Sequence, residues 1–176
     1  MKISLCYSGI KDDDIYKLSI NSLLTNIYIN CVKLYNCDYT IYEFSDDYNV
    51  FNEMKYSKYD GGPTFVKTKS IEPMFYKIYE SNKLKNQSDI TIRVRFDFIL
   101  NQKLDITNMN MNKYNIPNNG AISVNGNVLG VCDFFAISSS KNMDKYSDLY
   151  NNLDELFETS LLSNPESLLC KHLGIE

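Results

Sequence analysis

Two arginines and an aspartate occupy alternate positions of one short stretch, DITIRVRFDFIL, which covers residues 89–100. Arg93 and Arg95 are the only arginines among the 18 basic residues of the chain, and all the others are lysines. Unlike lysine, arginine presents a planar fork of donors that can bind two oxygens of one phosphate or carboxylate. An arginine pair in a chain that otherwise uses lysine therefore indicates a site for an anion.

Strict alternation predicts a β-strand in which Arg93, Arg95 and Asp97 lie on one face. Successive positions on such a face are about 6.6 Å apart. This spacing would let two guanidinium groups span a diphosphate while the carboxylate holds a divalent cation. Oxygen ligands of this kind suit Mg²⁺ or Mn²⁺. The alternative is a solvated strand face with an Arg–Asp ion pair, which contributes little to stability.

Three further groups of polar residues could take part in chemistry. Asp133 lies within VCDFFAI, where a carboxylate in an apolar strand would suit a general base; a hydrogen-bonded turn residue is the alternative. His172, the single histidine, stands near a predicted helix end, which favours a capping role over metal ligation. The acidic runs at 12–14 and 46–47 are interpreted as a helix start and a solvated turn, not as metal sites.

Length, charge and cysteine content limit the class of protein. With 176 residues the chain fits a single domain with a sizeable core. Its net charge of -4 and pI near 5.1 argue against a general nucleic-acid-binding protein. No apolar stretch approaches the roughly 20 residues of a membrane span, and MKISLCYSG is typical of a buried first strand in the centre of a sheet, not of a signal peptide. Five cysteines without a C-x-x-C pair predict reduced thiols and a cytoplasmic protein, a bridge between Cys31 and Cys37 being the alternative.

The elements that must position these residues follow from periodicity and turn signals. Strands are predicted at residues 2–7, 38–44, 89–98, 121–124 and 128–137, the last two joined by the hairpin turn Asn125-Gly126-Asn127. Ser70 is predicted to cap a helix with Pro73 in its first turn, and Ser140 to cap a helix that runs to about residue 159. Two other helices are predicted to begin at Asp12 and at Pro165, the second of which stops at Gly174. The stretch 101–119 is typical of irregular structure. Strands that alternate with helices indicate an α/β domain.

The run FYKIYESNKLKNQSDITIRVRFDFIL, residues 75–100, resembles the core signature of a family of bacterial and viral glycosyltransferases. That signature is a Tyr-Lys-Ile helix followed by a strand with Arg-x-Arg-x-Asp. ISLCYSG, VCDFFAISSSKNMDKYSDLY and NPESLLCKHL resemble the family's first strand, its later Asp-x-Phe-Ala segment and its closing helix, in the same order. Small chlorovirus and giant-virus enzymes of this family are among those that the chain resembles. The resemblance implies one GT-A-like (Rossmann-like) nucleotide-sugar domain over residues 1–176, with a mostly parallel mixed sheet flanked by helices.

The resemblance also implies a reaction. The chain would transfer a sugar from a nucleotide-diphosphate sugar to a glycan acceptor, in the host cytoplasm if the source is viral, which the AT-rich type of composition suits. Arg93 and Arg95 would bind the diphosphate, and Asp97 would hold Mn²⁺ or Mg²⁺ against it. Asp133 would accept the proton of the acceptor hydroxyl in an inverting enzyme, or orient the acceptor in a retaining one.

The loop after the first strand would lie against the nucleotide. It contributes Ser8, Gly9 and Lys11, and open α/β sheets bind ligands at this position in general. For Gly9 a simple turn is the alternative. Relatives usually carry an arginine a few residues past this glycine, a region that Ile10 and Lys11 occupy here; lysine keeps the charge but not the bidentate geometry.

Two other departures from the family pattern leave a second hypothesis open. Many GT-A enzymes carry Asp-x-Asp as the metal motif, whereas Arg95 stands here in place of the first aspartate. The chain is also short for the fold. The alternative is therefore a non-catalytic module of the same fold that binds a nucleotide or a glycan. A third hypothesis is an unrelated phosphate-binding α/β protein with no preference for an attached sugar.

Overall fold

The structure is a computed structural model, and it describes residues 1–9, 12–29, 32–34, 38–44, 63–118, 121–160 and 164–175. In chain order the strands are β1 (Lys2–Ser8), β2 (Ile27–Ile29), β3 (Val32–Lys33), β4 (Asp38–Phe44), β5 (Ile90–Arg95), β6 (Leu104–Asp105), β7 (Ile122–Val124), β8 (Asn127–Gly130) and β9 (Phe135–Ser139). The helices are α1 (Asp13–Asn26), α2 (Pro63–Leu84), α3 (Ser140–Ser147), α4 (Leu153–Thr159) and α5 (Pro165–Leu173), with 3₁₀ turns at Ile106–Asn108 and Asp148–Asn152. None of the described helices is both long and apolar enough to cross a membrane.

The largest sheet in the described part of the chain has the strand order β4-β1-β5-β9. β1 runs parallel to both of its neighbours, whereas β9 is antiparallel to β5. The chain goes from β1 to β4 on one side and then crosses over to β5 on the other, so the strand order reverses beside β1. The prediction of an α/β chain with a mixed sheet flanked by helices is confirmed, and so is the central position of the first strand.

The two faces of this sheet differ in character, and both are buried. On one face Leu5 and Ile92 belong to a core cluster that includes residues of α1. On the opposite face Cys6 and Arg93 line a narrow cavity together with residues of α2 and α3. Parallel strands are usually covered on both sides in this way. The predicted alternation is present in β5, but the strand ends at Arg95, so Asp97 lies in the turn that follows and not on the strand as predicted. Helices cover the face of β5 that was expected to carry its charges.

Helix ends follow the sequence signals closely. Asp12 caps α1, because its Oδ1 accepts hydrogen bonds from the backbone N–H groups of Asp14 and Ile15, both at 3.1 Å. The side chain of Asn164 caps α5 in the same way, accepting from the N–H of Ser167 at 2.8 Å. Gly174 ends α5 in the left-handed conformation, with φ 68°. The interpretation of the first acidic run as a helix start is confirmed, while residues 46–47 lie outside the described residues.

Two predicted helix boundaries are wrong. α2 begins at Pro63, well before Ser70, and Pro73 lies inside it instead of in its first turn. Ser139 caps α3 in place of Ser140, its Oγ accepting from the backbone N–H of Asn142 at 3.4 Å. The helical stretch that follows is divided into α3, a 3₁₀ turn and α4, where one continuous helix was predicted.

The predicted strand 128–137 divides into two strands of different sheets. β8 pairs with β7 through the turn at Asn125-Gly126, whose φ angles of 53° and 84° are those of the predicted hairpin. The chain then leaves β7–β8, because the N–H of Val131 donates to the carbonyl of Glu166 at the start of α5. Only after residue 134 does β9 begin in the main sheet. Asp133 therefore lies in the connection between two strands, not in a strand.

The stretch 101–119, predicted to be irregular, contains β6 and a single-residue bridge to the main sheet. Asn115 and Ile137 exchange two backbone hydrogen bonds, of 2.9 and 3.0 Å. The Nδ2 of Asn115 donates to the same Ile137 carbonyl at 3.1 Å. Asn115 thus covers part of the outer edge of β9.

The cysteines that the structure describes are buried and reduced, as predicted: Cys6, Cys132 and Cys170. Cys31 and Cys37 lie outside the described residues. Burial raises the pKa of Cys6 from 9.0 to about 12, although the charges of Lys85 and Arg93 oppose this shift. The thiolate, the reactive form, is thereby disfavoured at neutral pH.

We expect Cys6 to resist alkylation in the folded protein. A rise in pKa from 9.0 to about 12 lowers the thiolate population at pH 8 by about a thousandfold. Iodoacetamide labelling with residue-resolved mass spectrometry measures the rate, and the same reaction in concentrated urea is the control. Equal labelling of Cys6 in the two conditions would contradict the buried thiol.

Candidate functional site

The carboxyl ends of β1 and β5 meet at the point where the strand order of the sheet reverses. Ser8, the last residue of β1, is in register with Arg95, the last residue of β5. Open α/β sheets bind ligands in the crevice beyond such strand ends. The Ser8 hydroxyl is fully buried, and it has no hydrogen-bond partner in the part of the chain that the structure describes. Gly9 follows Ser8 directly at this edge of the sheet, whereas Lys11 lies outside the described residues.

Gly9 allows the chain to leave β1 closely packed against β5. Its φ angle is 132°, in a region that residues with a side chain rarely adopt. A Cβ atom added there would lie 3.5 Å from the Cγ of Arg95 and 3.7 Å from the Cδ2 of Phe96. The backbone conformation therefore requires glycine, and the contact places the Gly9 backbone beside the arginine.

Replacing Gly9 by alanine is expected to lower the free energy of unfolding by about 1–3 kcal/mol, the usual cost of a strained backbone conformation. Urea denaturation followed by circular dichroism measures the change. Ser123→Ala, at an exposed position of β7, is the matched control and should stay within about 0.5 kcal/mol of the wild type. A Gly9→Ala variant as stable as this control would contradict the strain.

Arg95 and Asp97 form an ion pair at the surface of this edge. The Nε of Arg95 donates to the Oδ1 of Asp97 at 2.5 Å, and the two side chains are 41% and 52% exposed. The guanidinium carbon lies 5.3 Å from the centre of the Phe134 ring. Partial burial lowers the pKa of Arg95, but the hydrogen bond and charge of Asp97 and the charge of Asp133 outweigh it, so the pKa is raised overall. Arg95 is therefore a fixed cation whose Nη groups make no other hydrogen bond within the described ranges.

Arg93, by contrast, lies in the interior and is only 2% exposed. Its neighbours in register are Cys6 on β1 and Ala136 on β9, whose small side chains leave room for the long one. Its Nη1 donates to the carbonyl of Phe134 at 2.9 Å, and its Nε has no partner among the described residues. Burial lowers the pKa of Arg93, while the charges of Tyr146 and Asp133 oppose this effect. The two arginines thus share a face of β5, but only Arg95 reaches the surface.

Asp133 is 6% exposed, and it is near enough to both arginines for its charge to favour a higher pKa of each guanidinium. The hydroxyl of Tyr146, on α3, donates to its backbone carbonyl at 3.3 Å. The next carbonyl, that of Phe134, accepts from Arg93 Nη1 and from the backbone N–H of Arg95, both at 2.9 Å. The structure therefore brings Arg93, Arg95 and Asp133 together around a single turn of the chain.

A divalent cation would find one carboxylate at the exposed part of this site. Within the described ranges, no three His, Cys, Asp or Glu side chains come together as a metal site. Asp97 is available, although its Oδ1 already accepts from Arg95. Mg²⁺ commonly binds through one or two carboxylates together with substrate phosphates and water. The residues therefore fit a cation held chiefly by a bound diphosphate, with Asp97 as its protein ligand.

His172, on α5, contacts a second helix, α3. Its Nε2 is 2.7 Å from the carbonyl of Lys145, near the end of α3. Burial lowers its pKa, and the neighbouring charge of Lys145 acts in the same direction, against the hydrogen bond to the Lys145 carbonyl. This contact between two helices favours the structural role expected for the lone histidine.

Two residues of this region were not singled out in the sequence: Phe134, which lies beneath Arg95, and Tyr146, which holds the turn. The signal for Phe134 was its place next to Asp133 in VCDFFAI. Tyr146 stands in a helix, where a buried tyrosine is ordinarily a core residue, and only its contact with the Asp133 carbonyl distinguishes it.

Fold and site together define an α/β chain with a half-exposed arginine–aspartate pair at the carboxyl edge of a mainly parallel sheet. A comparison with models of known protein families finds no match, and a comparison with curated proteins finds no relative.

Proposed function

We propose that the chain is a GT-A-like glycosyltransferase that transfers a sugar from a nucleotide-diphosphate sugar to a glycan acceptor. The observation that carries the proposal is the position of Arg95 and Asp97 beside Gly9, at the point where the strand order reverses. A guanidinium and a carboxylate there would act on the diphosphate and on its divalent cation, respectively. The sequence resemblance to small bacterial and viral enzymes of this class supports the same reading.

Arg95 would stabilise the departing nucleoside diphosphate. Charge develops on the leaving oxygen as the sugar is transferred, and a cation placed there in advance lowers the barrier. The Nε of Arg95 is engaged by Asp97, which leaves the Nη groups to meet two phosphate oxygens. When bound, Mn²⁺ or Mg²⁺ would supply further neutralisation of the same leaving group.

Asp133 would serve the acceptor. In an inverting reaction it would accept the proton of the attacking hydroxyl, and in a retaining reaction it would orient the acceptor. Its place in the chain supports a position at the site, because it directly precedes Phe134, whose carbonyl and ring contact Arg95. Because it is 6% exposed, the acceptor hydroxyl would have to enter between the Phe134 turn and the end of β5.

A groove of about 580 Å³ offers a place for the body of the acceptor. It is lined by residues 98–104 and 115–117, together with Phe135 and Ile137 of β9. Phe98 lies at one end of the groove and stacks on Phe135, with 4.5 Å between the ring centroids. Its centroid is 5.5 Å from that of Phe134, the ring beneath Arg95. Aromatic and apolar walls with asparagine and glutamine at the rim suit the faces and hydroxyls of a sugar.

A thermal-shift series tests the donor site. We expect one family among UDP-, GDP- and dTDP-sugars to raise the melting temperature in the presence of Mn²⁺ or Mg²⁺, because a ligand at a hundred times its Kd stabilises the native state by about 2.7 kcal/mol. EDTA should reduce the shift, and Asp97→Ala should abolish this dependence on the metal. The metal ion alone should produce no shift, because the diphosphate supplies most of its ligands.

No shift with any donor would overturn the proposal. Equal shifts with simple nucleotides and with nucleotide sugars would favour an unrelated phosphate-binding protein. A shift that persists in EDTA would assign the charge neutralisation to Arg95 alone.

A binding module without catalysis is the second candidate function. The observation that favours it is that Asp97 Oδ1 already accepts from Arg95 while Asp133 is only 6% exposed, so neither carboxylate offers both of its oxygens at the surface. Chromatography of the donor after incubation with purified protein and mixed glycans distinguishes the two. Release of nucleoside diphosphate supports the transferase, whereas binding without any release supports the module.

A further inference from the structure

Arg93 and Tyr146 contact one turn of the chain from the side opposite to solvent. Arg93 Nη1 donates to the carbonyl of Phe134 at 2.9 Å, and the Tyr146 hydroxyl donates to the carbonyl of Asp133 at 3.3 Å. Both side chains are buried, at 2% and 0% exposure. Two consecutive carbonyls of the connection between β8 and β9 are therefore held from within, by a strand and by a helix.

The same turn carries the groups that face the site. Asp133 contributes its charge to Arg95, and the ring of Phe134 lies 5.3 Å beneath the Arg95 guanidinium. The backbone N–H of Arg95 shares the Phe134 carbonyl with Arg93. A displacement of this carbonyl would therefore move the support of Arg95 and the position of Asp133 together.

Burying the guanidinium of Arg93 costs desolvation free energy, which an apolar side chain in the same place would not. A buried guanidinium requires compensation by hydrogen bonds and nearby charge, and the Nε of Arg93 has no partner in the described part of the chain. The space around it, between Cys6 and Tyr146, is too narrow to be a ligand pocket of its own. What its charge does meet is the Phe134 carbonyl and, nearby, Asp133.

We propose that Arg93 and Tyr146 are positioning residues for the anion site, which they never touch: together they fix the turn that sets the orientation of Arg95 and the place of Asp133. The expected effect on ligand binding rests on the proposed function. The geometric claim, that Arg93 and Tyr146 set the orientation of Arg95, does not depend on it. The two parts are measured separately.

The chain's two arginines make the geometric part observable. An ¹⁵N–¹H spectrum recorded at slightly acidic pH should contain two arginine Nε–H signals, since Arg93 and Arg95 are the only arginines. Arg93→Lys and Arg95→Lys assign them by the signal that each removes. The Arg95 signal reports both its hydrogen bond to Asp97 and the ring current of Phe134.

Tyr146→Phe is the decisive variant, because it removes one hydroxyl and keeps the buried ring. We expect the Arg95 Nε–H signal to shift and the affinity for UDP with Mg²⁺, measured by calorimetry, to fall about 2- to 30-fold, the range of coupling between groups that do not both touch a ligand. Tyr150→Phe is the matched control. Tyr150 packs on Tyr76 and Tyr79, outside the turn, and should change neither quantity.

The outcomes separate the two proposals. An Arg95 signal unmoved by Tyr146→Phe, or moved equally by Tyr150→Phe, overturns the positioning role, and so does a moved signal with unchanged affinity in a protein that binds UDP. A moved signal in a protein that binds no donor or nucleotide supports the positioning role and refutes the proposed function. If Tyr146→Phe does not fold, Arg93→Lys, which keeps the charge but not the planar guanidinium, replaces it in the affinity and Arg95-signal measurements.

Discussion

Replacing Arg93 by alanine is expected to lower the free energy of unfolding by about 3–5 kcal/mol, the usual effect of removing one of two buried residues of opposite charge. The substitution would leave a space between Cys6 and Ala136, strip a hydrogen bond from the Phe134 carbonyl and leave the buried Asp133 with less compensating charge. Urea denaturation at two protein concentrations measures the change. Circular dichroism follows it in place of tryptophan fluorescence, because the chain has no tryptophan.

Arg93→Met separates packing from charge. Methionine fills much of the same volume without a guanidinium to desolvate, and apolar replacements of buried ions are often neutral. We therefore expect a smaller loss than with alanine. Lys17→Ala, at an exposed position of α1, is the control for removal of a surface charge. A loss from Arg93→Ala no larger than this control would refute the buried position of the arginine.

The second large effect is expected from Arg95→Lys, which keeps the charge and removes the planar fork. We expect the affinity for the nucleotide-sugar donor to fall by about tenfold to a hundredfold, because a charge-assisted hydrogen bond contributes about 1.5–3 kcal/mol. The free energy of unfolding should change little, since the side chain is 41% exposed. Calorimetric titration with the donor that gives the largest thermal shift measures the effect.

The control for Arg95→Lys is a second substitution that exchanges lysine and arginine, at a position away from the site. Lys141→Arg lies in the first turn of α3. The backbone N–H of Ser140, the first residue of that helix, donates to the carbonyl of Asp89 at the amino end of β5, so Lys141 is at the opposite edge of the sheet. It should leave the donor affinity unchanged. If Arg95→Lys binds the donor as tightly as the wild type, the bidentate role of Arg95 is excluded and Lys11 becomes the stronger candidate.

Local signals were sufficient for much of the fold. A mainly apolar run predicted β1 as a central strand, and Asp12, Asn164 and Gly174 marked helix ends because capping depends on a few neighbouring backbone groups. The turn at Asn125-Gly126 was equally predictable, since few residues tolerate positive φ angles. Such features are decided within a few residues of sequence.

The candidate site was less predictable because it depends on what covers each face. The two-residue period of residues 89–98 places Arg93 and Arg95 on one side of a strand, but it cannot tell which of them helices will bury. Asp133 was assigned to a strand because its neighbours are apolar. The hydrogen bond from Val131 to Glu166, far along the chain, is what interrupts the pairing there.

The bridge between Asn115 and Ile137 has a consequence for how molecules of this protein meet one another. A free strand edge is a template on which a second chain can add its own strand, the first step of many aggregation processes. At Ile137 the backbone donor and acceptor of β9 are both engaged by Asn115, whose side-chain amide adds a third contact. A newly arriving strand would find its hydrogen-bonding partners taken at this point, which disfavours sheet extension past β9.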